Sequence, residues 1–245
     1  MCNFFSVITL KGEYYYFNWK QRQERNFDDC DSHSEIAKFY DLKDERINCY
    51  EYNPLTKHLV IDAQHGPDDS KAVQEWCDGL DWKTIVEPLI VKPIINPLEL
   101  PIVESPTEEQ IEWLKRWASV WDSVWDSVRA SVWASVRDSV GASVWDSVGA
   151  SVWDSVWASV WDSVWDSVRD SVWDSVGDSV WDSVWASVGA SVWAYISSFF
   201  DIGYKLDFSP AVKLWEAGLV PSFDGTTWRL HSGKDAKIVY EWRPE

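Results

Sequence analysis

Tryptophan and aspartate recur every fourth residue between Trp117 and Val192, and this row of indoles and carboxylates is the most distinctive chemistry in the chain. Residues 117–192 form 19 tetrads of the pattern Trp-Asp-Ser-Val, without insertion or deletion. The third position is always Ser and the fourth always Val. The first is Trp in 12 tetrads, Gly in four and Arg in three (129, 137, 169); the second is Asp in 11 and Ala in eight. Indoles beside carboxylates are a binding chemistry, because exposed apolar patches mark contact and Trp is a favoured interface anchor. The predicted binding residues are Trp121, Trp125, Trp145, Trp153, Trp157, Trp161, Trp165, Trp173, Trp181 and Trp185. In the competing reading the indoles lie flat and shield the backbone ladder. Asp at every fourth place reads as solvating charge rather than a calcium site, since eight positions are Ala and no Gly-rich loop accompanies them.

Two other groups carry potential chemistry. Cys2 would become the N-terminal residue if Met1 were removed, and a thiol beside a free amine can act as a nucleophile, as in N-terminal-nucleophile amidotransferases. Asn3-Phe4-Phe5 lacks the glycine usual there, and some 100 residues before the repeat are few for that fold, so a small buried thiol is the competing reading. Cys30-x-x-His33 has a spacing compatible with metal ligands, with Cys49, His65 and Cys77 to complete a set. One such pair without a second is weak, and no metal or cofactor is expected.

The charge balance narrows the partners. With 22 basic and 40 acidic residues the 245-residue chain has a net charge of −18. The tract contributes 3 − 11 = −8 and the flanks −10. Such a surface attracts basic partners and repels nucleic acid and anionic membranes. Imitation of nucleic acid towards a DNA-binding protein fits the sign better than binding to it. Four cysteines, no signal peptide and no run of 18 apolar residues predict reduced thiols, no membrane span and a cytoplasmic location.

These residues need a frame. Residues 1–82 read as a small α+β domain. It has a hairpin of Asn3–Leu10 and Tyr14–Asn18, a helix from Asp31 or Ser32 to about Leu42, strands Asn48–Tyr52 and His58–Asp62, and a helix Ser70–Trp82. Residues 83–116 form an apolar arm punctuated by Pro88, Pro93, Pro97, Pro101 and Pro106, packed extended on another part, then a capping box at Thr107 that opens a short helix. Residues 117–192 are the repeat. Residues 193–245 read as a cap, with a helix Ala211–Ala217 and a closing hairpin of Ser222–Leu230 and Lys237–Trp242.

For the repeat itself, a helix and a β-solenoid compete. In an α-helix each tetrad position drifts by about 40° per repeat, so no fixed apolar stripe survives. Val, Ser, Trp, Asp and Gly over that length cost on the order of 30 kcal/mol in helix propensity relative to Ala. Stacked β-coils use Val and Trp in strands, satisfy the backbone and keep every tetrad in phase. The expected fold class is therefore mainly β: a short-repeat solenoid, four-sided in preference to three-sided, between the α+β domain and the C-terminal cap. Invariant Val should point inward, invariant Ser should sit at corners, and the variable Trp/Arg/Gly and Asp/Ala sites should face out.

In that logic the tract resembles the pentapeptide-repeat family, whose quadrilateral right-handed β-helix places one short repeat on each side. The unit here is four residues, and Val replaces that family's central Leu. Some members are acidic rods that imitate DNA and bind gyrase, which implies the same possibility here. The whole chain is also similar to uncharacterised phage and gut-bacterial tandem-repeat proteins. The residues carrying that likeness are Met1-Cys2-Asn3-Phe4, Asp31-Ser32-His33 and the closing Gly218-Leu219-Val220-Pro221-Ser222-Phe223-Asp224-Gly225. The expected function is non-enzymatic: an acidic, Trp-rich surface that binds a host protein. An enzyme using Cys2 and a purely structural spacer are the alternatives.

Overall fold

The computed structural model describes residues 4–24, 32–43, 45–121, 149–173 and 181–244. The chain falls into two compact units, one of Met1–Pro93, Val136–Ser155 and Phe200–Ile202, the other of Ile94–Ser135, Val156–Phe199 and Gly203–Glu245.

The first unit is built on an antiparallel sheet. Strands β1 (Phe5–Leu10) and β2 (Glu13–Tyr15) are joined by Lys11-Gly12, both at positive φ, the two-residue turn that matches strand twist. Strands β3 (Asn48–Asn53) and β4 (His58–Gln64) complete the order β2-β1-β3-β4. Register pairs Phe5 with Tyr52 and Val7 with Tyr50, while Ile8 pairs with Cys49 on the opposite face. The Ile8–Cys49 face clusters with Phe17 and with Ile36 from helix α2 (His33–Phe39), whose N-cap Ser32 accepts the Glu35 N–H. A short helix α1 (Trp19–Glu24) precedes it. Helices α3 (Ser70–Asp78) and α4 (Trp82–Ile85) cover the other face, where Trp82 meets Phe5 edge-on at 4.9 Å and stacks on Tyr52 at 5.4 Å. The proline arm begins here: Asp201 donates its N–H to the Pro88 carbonyl, and Leu89 forms a β-bridge with Phe200.

The second unit is helical with a small sheet. The arm continues extended, as proline requires. Ile95 donates its N–H to the Tyr195 hydroxyl, its carbonyl accepts the Trp215 indole N–H, and the Val103 N–H reaches Ser232. Thr107 and Gln110 form a reciprocal capping box, each side chain accepting the other's N–H, and open helix α5 over residues 108–121. Helix α6 (Ala150–Val156) belongs to the first unit up to Ser155; in the second, a π-helical turn (Trp157–Trp161) leads into helix α7 (Asp162–Trp173). Helix α8 (Trp181–Ser197) and helix α9 (Ser209–Glu216) come next. Strands β5 (Val220–Phe223), β6 (Trp228–Ser232) and β7 (Lys237–Trp242) form an antiparallel sheet in that order. The expected closing hairpin is thus three-stranded, because Asp224 accepts the Thr226 and Thr227 N–H groups and turns the chain with Gly225 at φ +91°.

The β-solenoid is overturned. Every described part of the tract, 117–121, 149–173 and 181–192, is helical, and the architecture is mixed helix and sheet with no solenoid. The drift objection fails for a specific reason. A π turn holds one residue more than an α turn and so takes back about 100° of rotation. From Val156 to Val172 an unbroken α-helix would swing the valines steadily through about 160°; the π turn sets the later ones back, so that all five fall within about 100–120°, close to the width of an ordinary apolar stripe. Val156, Val160, Val164, Val168 and Val172 are all buried, as are Val152, Val184, Val188 and Val192. The valines point inward, but from helices. The rule that variable positions must face out also fails, since Trp161, Ala186, Gly189 and Ala190 are buried.

Candidate functional site

In a helix, residues four apart are neighbours on one face, so a Trp at each fourth position forms a column of rings. Trp157 and Trp161 stack with centroids 4.2 Å apart and planes 19° apart; Trp161 and Trp165 lie 5.7 Å apart and nearly parallel, at 3°. Trp185 from α8 meets Trp161 edge-on at 6.2 Å and 84°. Trp161 is the hub and is only 5% exposed, whereas Trp157 and Trp165 are half-buried and Trp185 is 41% exposed. In the repeats of this unit the carboxylates Asp162, Asp166, Asp170 and Asp182 are all exposed. The next member of the column after Trp165 is Arg169, whose guanidinium pairs with Asp166 at 3.1 Å and Asp170 at 3.0 Å.

The remaining predicted residues separate. Trp153 is half-buried. Trp121 is drawn into the protein, meeting Phe223 and Trp228 edge-on at 5.7 Å each, so it stabilises the C-terminal sheet rather than offering a face. Trp125 and Trp145 lie outside the described residues, as do the side chains of Trp173 and Trp181 and the residue Cys2. The serines sit on helices rather than solenoid corners. Ser163, Ser187 and Ser191 donate to the carbonyl three residues back, Val160, Val184 and Val188. Several also receive bonds from the flanks: Asn53 donates to Ser155, Asn96 to Ser163, and the Phe223 N–H to Ser187.

No family model, curated protein or solved structure matches this chain. The chemistry therefore rests on geometry alone.

Cys30 lies outside the described residues, and among those described no three His, Cys, Asp or Glu side chains are grouped to hold an ion. His33 bonds the Tyr50 carbonyl at 3.0 Å and Asp62 at 3.1 Å. Cys49 and Cys77 are buried thiols, which burial pushes up to about 11 and about 12. One pair escaped the sequence reading: Ser222 and His231 lie 2.7 Å apart, as a nucleophile and base would. The His231 Nδ1 faces the Ala236 carbonyl at 2.9 Å and so carries the proton, leaving Nε2 to accept from Ser222. Both residues are fully buried, and burial pushes the imidazole down to about 4. A charge-neutral clamp between strands is what this geometry supports. No sequence signal singled it out, because the two partners sit nine residues apart on strands whose turn was read as continuous strand. Among the described residues no helix is long and apolar enough to cross a membrane.

Proposed function

We propose that the protein is a non-enzymatic binding protein whose helical tetrad tract docks a partner protein through its indole cluster. The carrying observation is the Trp157–Trp161–Trp165 column with Trp185 exposed against it, on helices whose aspartates are exposed. A stacked column costs little entropy on binding, because the rings already hold one another, and preorganised aromatic anchors are what interface hot spots use.

Crosslinking of the full chain to its partners in a bacterial lysate tests this, comparing the native chain with the double variant Trp157→Ala, Trp185→Ala. The crosslinked species should disappear from the double variant while its circular dichroism stays native. Unchanged crosslinking with the same spectrum would overturn the proposal.

A further inference from the structure

We propose that strand β4 is a self-association edge, onto which a second copy of this chain adds its own β4, antiparallel across a two-fold axis. The proposal uses none of the residues of the indole column and stands independently of it.

A strand at the rim of a sheet presents a row of backbone N–H and C=O groups, and proteins guard such rims with short strands, lysine, proline or a covering element. Among the described residues the two sheets have four rims, and three are guarded. Strand β2 is three residues long and follows Lys11. Strand β5 donates its Phe223 N–H to Ser187 of α8. Strand β7 carries exposed Glu241 and exposed Lys237, the latter paired with Glu104 of the arm at 3.5 Å. Strand β4 differs. It is seven residues long, ends the order β2-β1-β3-β4, and contains no lysine, arginine or proline. Leu59 and Val60 are half-buried, and Ile61, at 46%, is the most exposed of the described large apolar side chains. The bulge at Asp62 disturbs the far end alone, since His58 through Ile61 keep unbroken register with Asn53 through Tyr50.

This edge is complementary to itself. A two-fold axis at Val60 sets Val60 against its own copy and Leu59 against Ile61 of the second copy, twice over. Leu59 and Ile61 pair with Tyr52 and Tyr50 on one face of the sheet, so the contact prolongs that row across the axis. At each end His58 comes beside Asp62 of the second copy, a ring N–H donor beside a carboxylate. A strand of another protein would have to match this pattern, whereas a second copy matches it by symmetry. The net charge of −18 opposes association, but at 0.15 M salt it is screened beyond about 8 Å.

The test is sedimentation equilibrium of the full chain over a concentration series at that salt. The mass should rise from 28.4 kDa towards twice that value. Ile61→Lys should hold it at 28.4 kDa with native circular dichroism, whereas Val91→Lys, the same change at an exposed site off the sheet, should leave association unchanged. The double variant Trp157→Ala, Trp185→Ala should still associate. Val60→Cys should form a disulfide-linked dimer under mild oxidation, because opposed residues of an antiparallel pair lie about 4.5–5.5 Å apart; Val91→Cys should crosslink no more than the native chain. If Ile61→Lys loses its native spectrum, the Val60→Cys crosslink decides. A mass of 28.4 kDa at every concentration, a dimer unaffected by a folded Ile61→Lys, loss of the dimer in the double tryptophan variant, or no crosslink through Val60→Cys would overturn the proposal.

Discussion

Deleting one residue from the π turn should be harmless, whereas deleting one residue a turn and a half further on should not. Ala158 in the π turn and Asp166 in α7 are both exposed, so neither deletion removes buried surface directly. Loss of Ala158 converts the five-residue turn into an ordinary α turn, since a π turn is an α turn with one residue inserted. The valines on either side keep their azimuths. Loss of Asp166 has no such reservoir, and it rotates everything after it by about 100°. Val168 and Val172, now buried, would swing off the apolar stripe, and Ser171 would leave His231, which it approaches at 3.4 Å. Each valine forfeits about 1.5 kcal/mol of burial, so the pair costs about 3 kcal/mol, a large share of a total of ~5–15 kcal/mol. Urea unfolding followed by far-ultraviolet circular dichroism measures this. At a slope of roughly 3 kcal/mol per molar, the Asp166 deletion should lower the midpoint by about 1 M, while the Ala158 deletion shifts it by less than about 0.3 M. Equal losses from the two deletions would show that the π turn is not what keeps the valines in phase.

Three further outcomes follow from particular side chains. His231 is neutral when folded, its imidazole pushed down to about 4 from 6.5 by burial, so the unfolded state binds more protons between those values. Stability should therefore be full above about pH 6.5 and fall as pH drops towards 4, by about 3 kcal/mol in all; urea midpoints measured across that window should flatten in His231→Gln. Trp161→Ala should cost about 3–5 kcal/mol because it removes a buried hub ring, whereas Trp185→Ala, at 41% exposure, should cost less than about 1.5 kcal/mol in the same denaturation assay. Thr107→Ala should destabilise by about 1 kcal/mol through loss of the capping box, and Thr107→Ser should restore most of it, as read from thermal midpoints.

Period-2 patterning and local caps made the elements of both flanks legible. Lys11-Gly12 announced the first hairpin, Ser32 its helix, and Thr107 with Gln110 a helix start, because each of these signals acts within a few residues. The capping box was also a clue to the tract that phase drift and propensity outweighed, since α5 runs from it into Trp117 and Trp121 without a break. The tetrads were misjudged because a helix was taken as uniformly α. A single i→i+5 turn is a tertiary compromise, adopted where packing rewards phase, and nothing in Trp157–Trp161 distinguishes it from neighbouring repeats. The substitutions did carry information of another kind. Gly189-Ala190 stands in the stretch of α8 where residues 186–192 are all buried. Small residues at the first two positions thus mark a helix enclosed on every side, a reading that a solenoid, with its fixed outward sites, concealed. For the candidate site, the row of indoles was legible; the fates of Trp121 and Trp161 were not, because long-range partners such as Phe223, Trp228 and Trp185 decide them.

Invariance of serine is the last feature that needs a cause, and helix propensity cannot supply it, since Ser is a poorer helix former than Ala. Two demands meet at this position. The side chain must be small enough for neighbouring segments to approach: Ser187 and Ser191 are completely buried in α8. It must also answer polar groups that those segments bring with them, as Ser155 answers Asn53, Ser163 answers Asn96 and Ser187 answers the otherwise unpaired Phe223 N–H at the sheet edge. Alanine meets the first demand but forfeits these hydrogen bonds, at about 1 kcal/mol each where the donor is partly buried. Asn or Asp would meet the second with more bulk and a stronger pull on the helix backbone. A hydroxyl that donates to its own helix, as Ser187 does to Val184, keeps its lone pairs free for a donor from outside. One unit of four residues therefore divides its labour: valine holds the helix to the protein, serine fastens the flanks to the helix, and Gly-Ala at the first two positions lets α8 be enclosed.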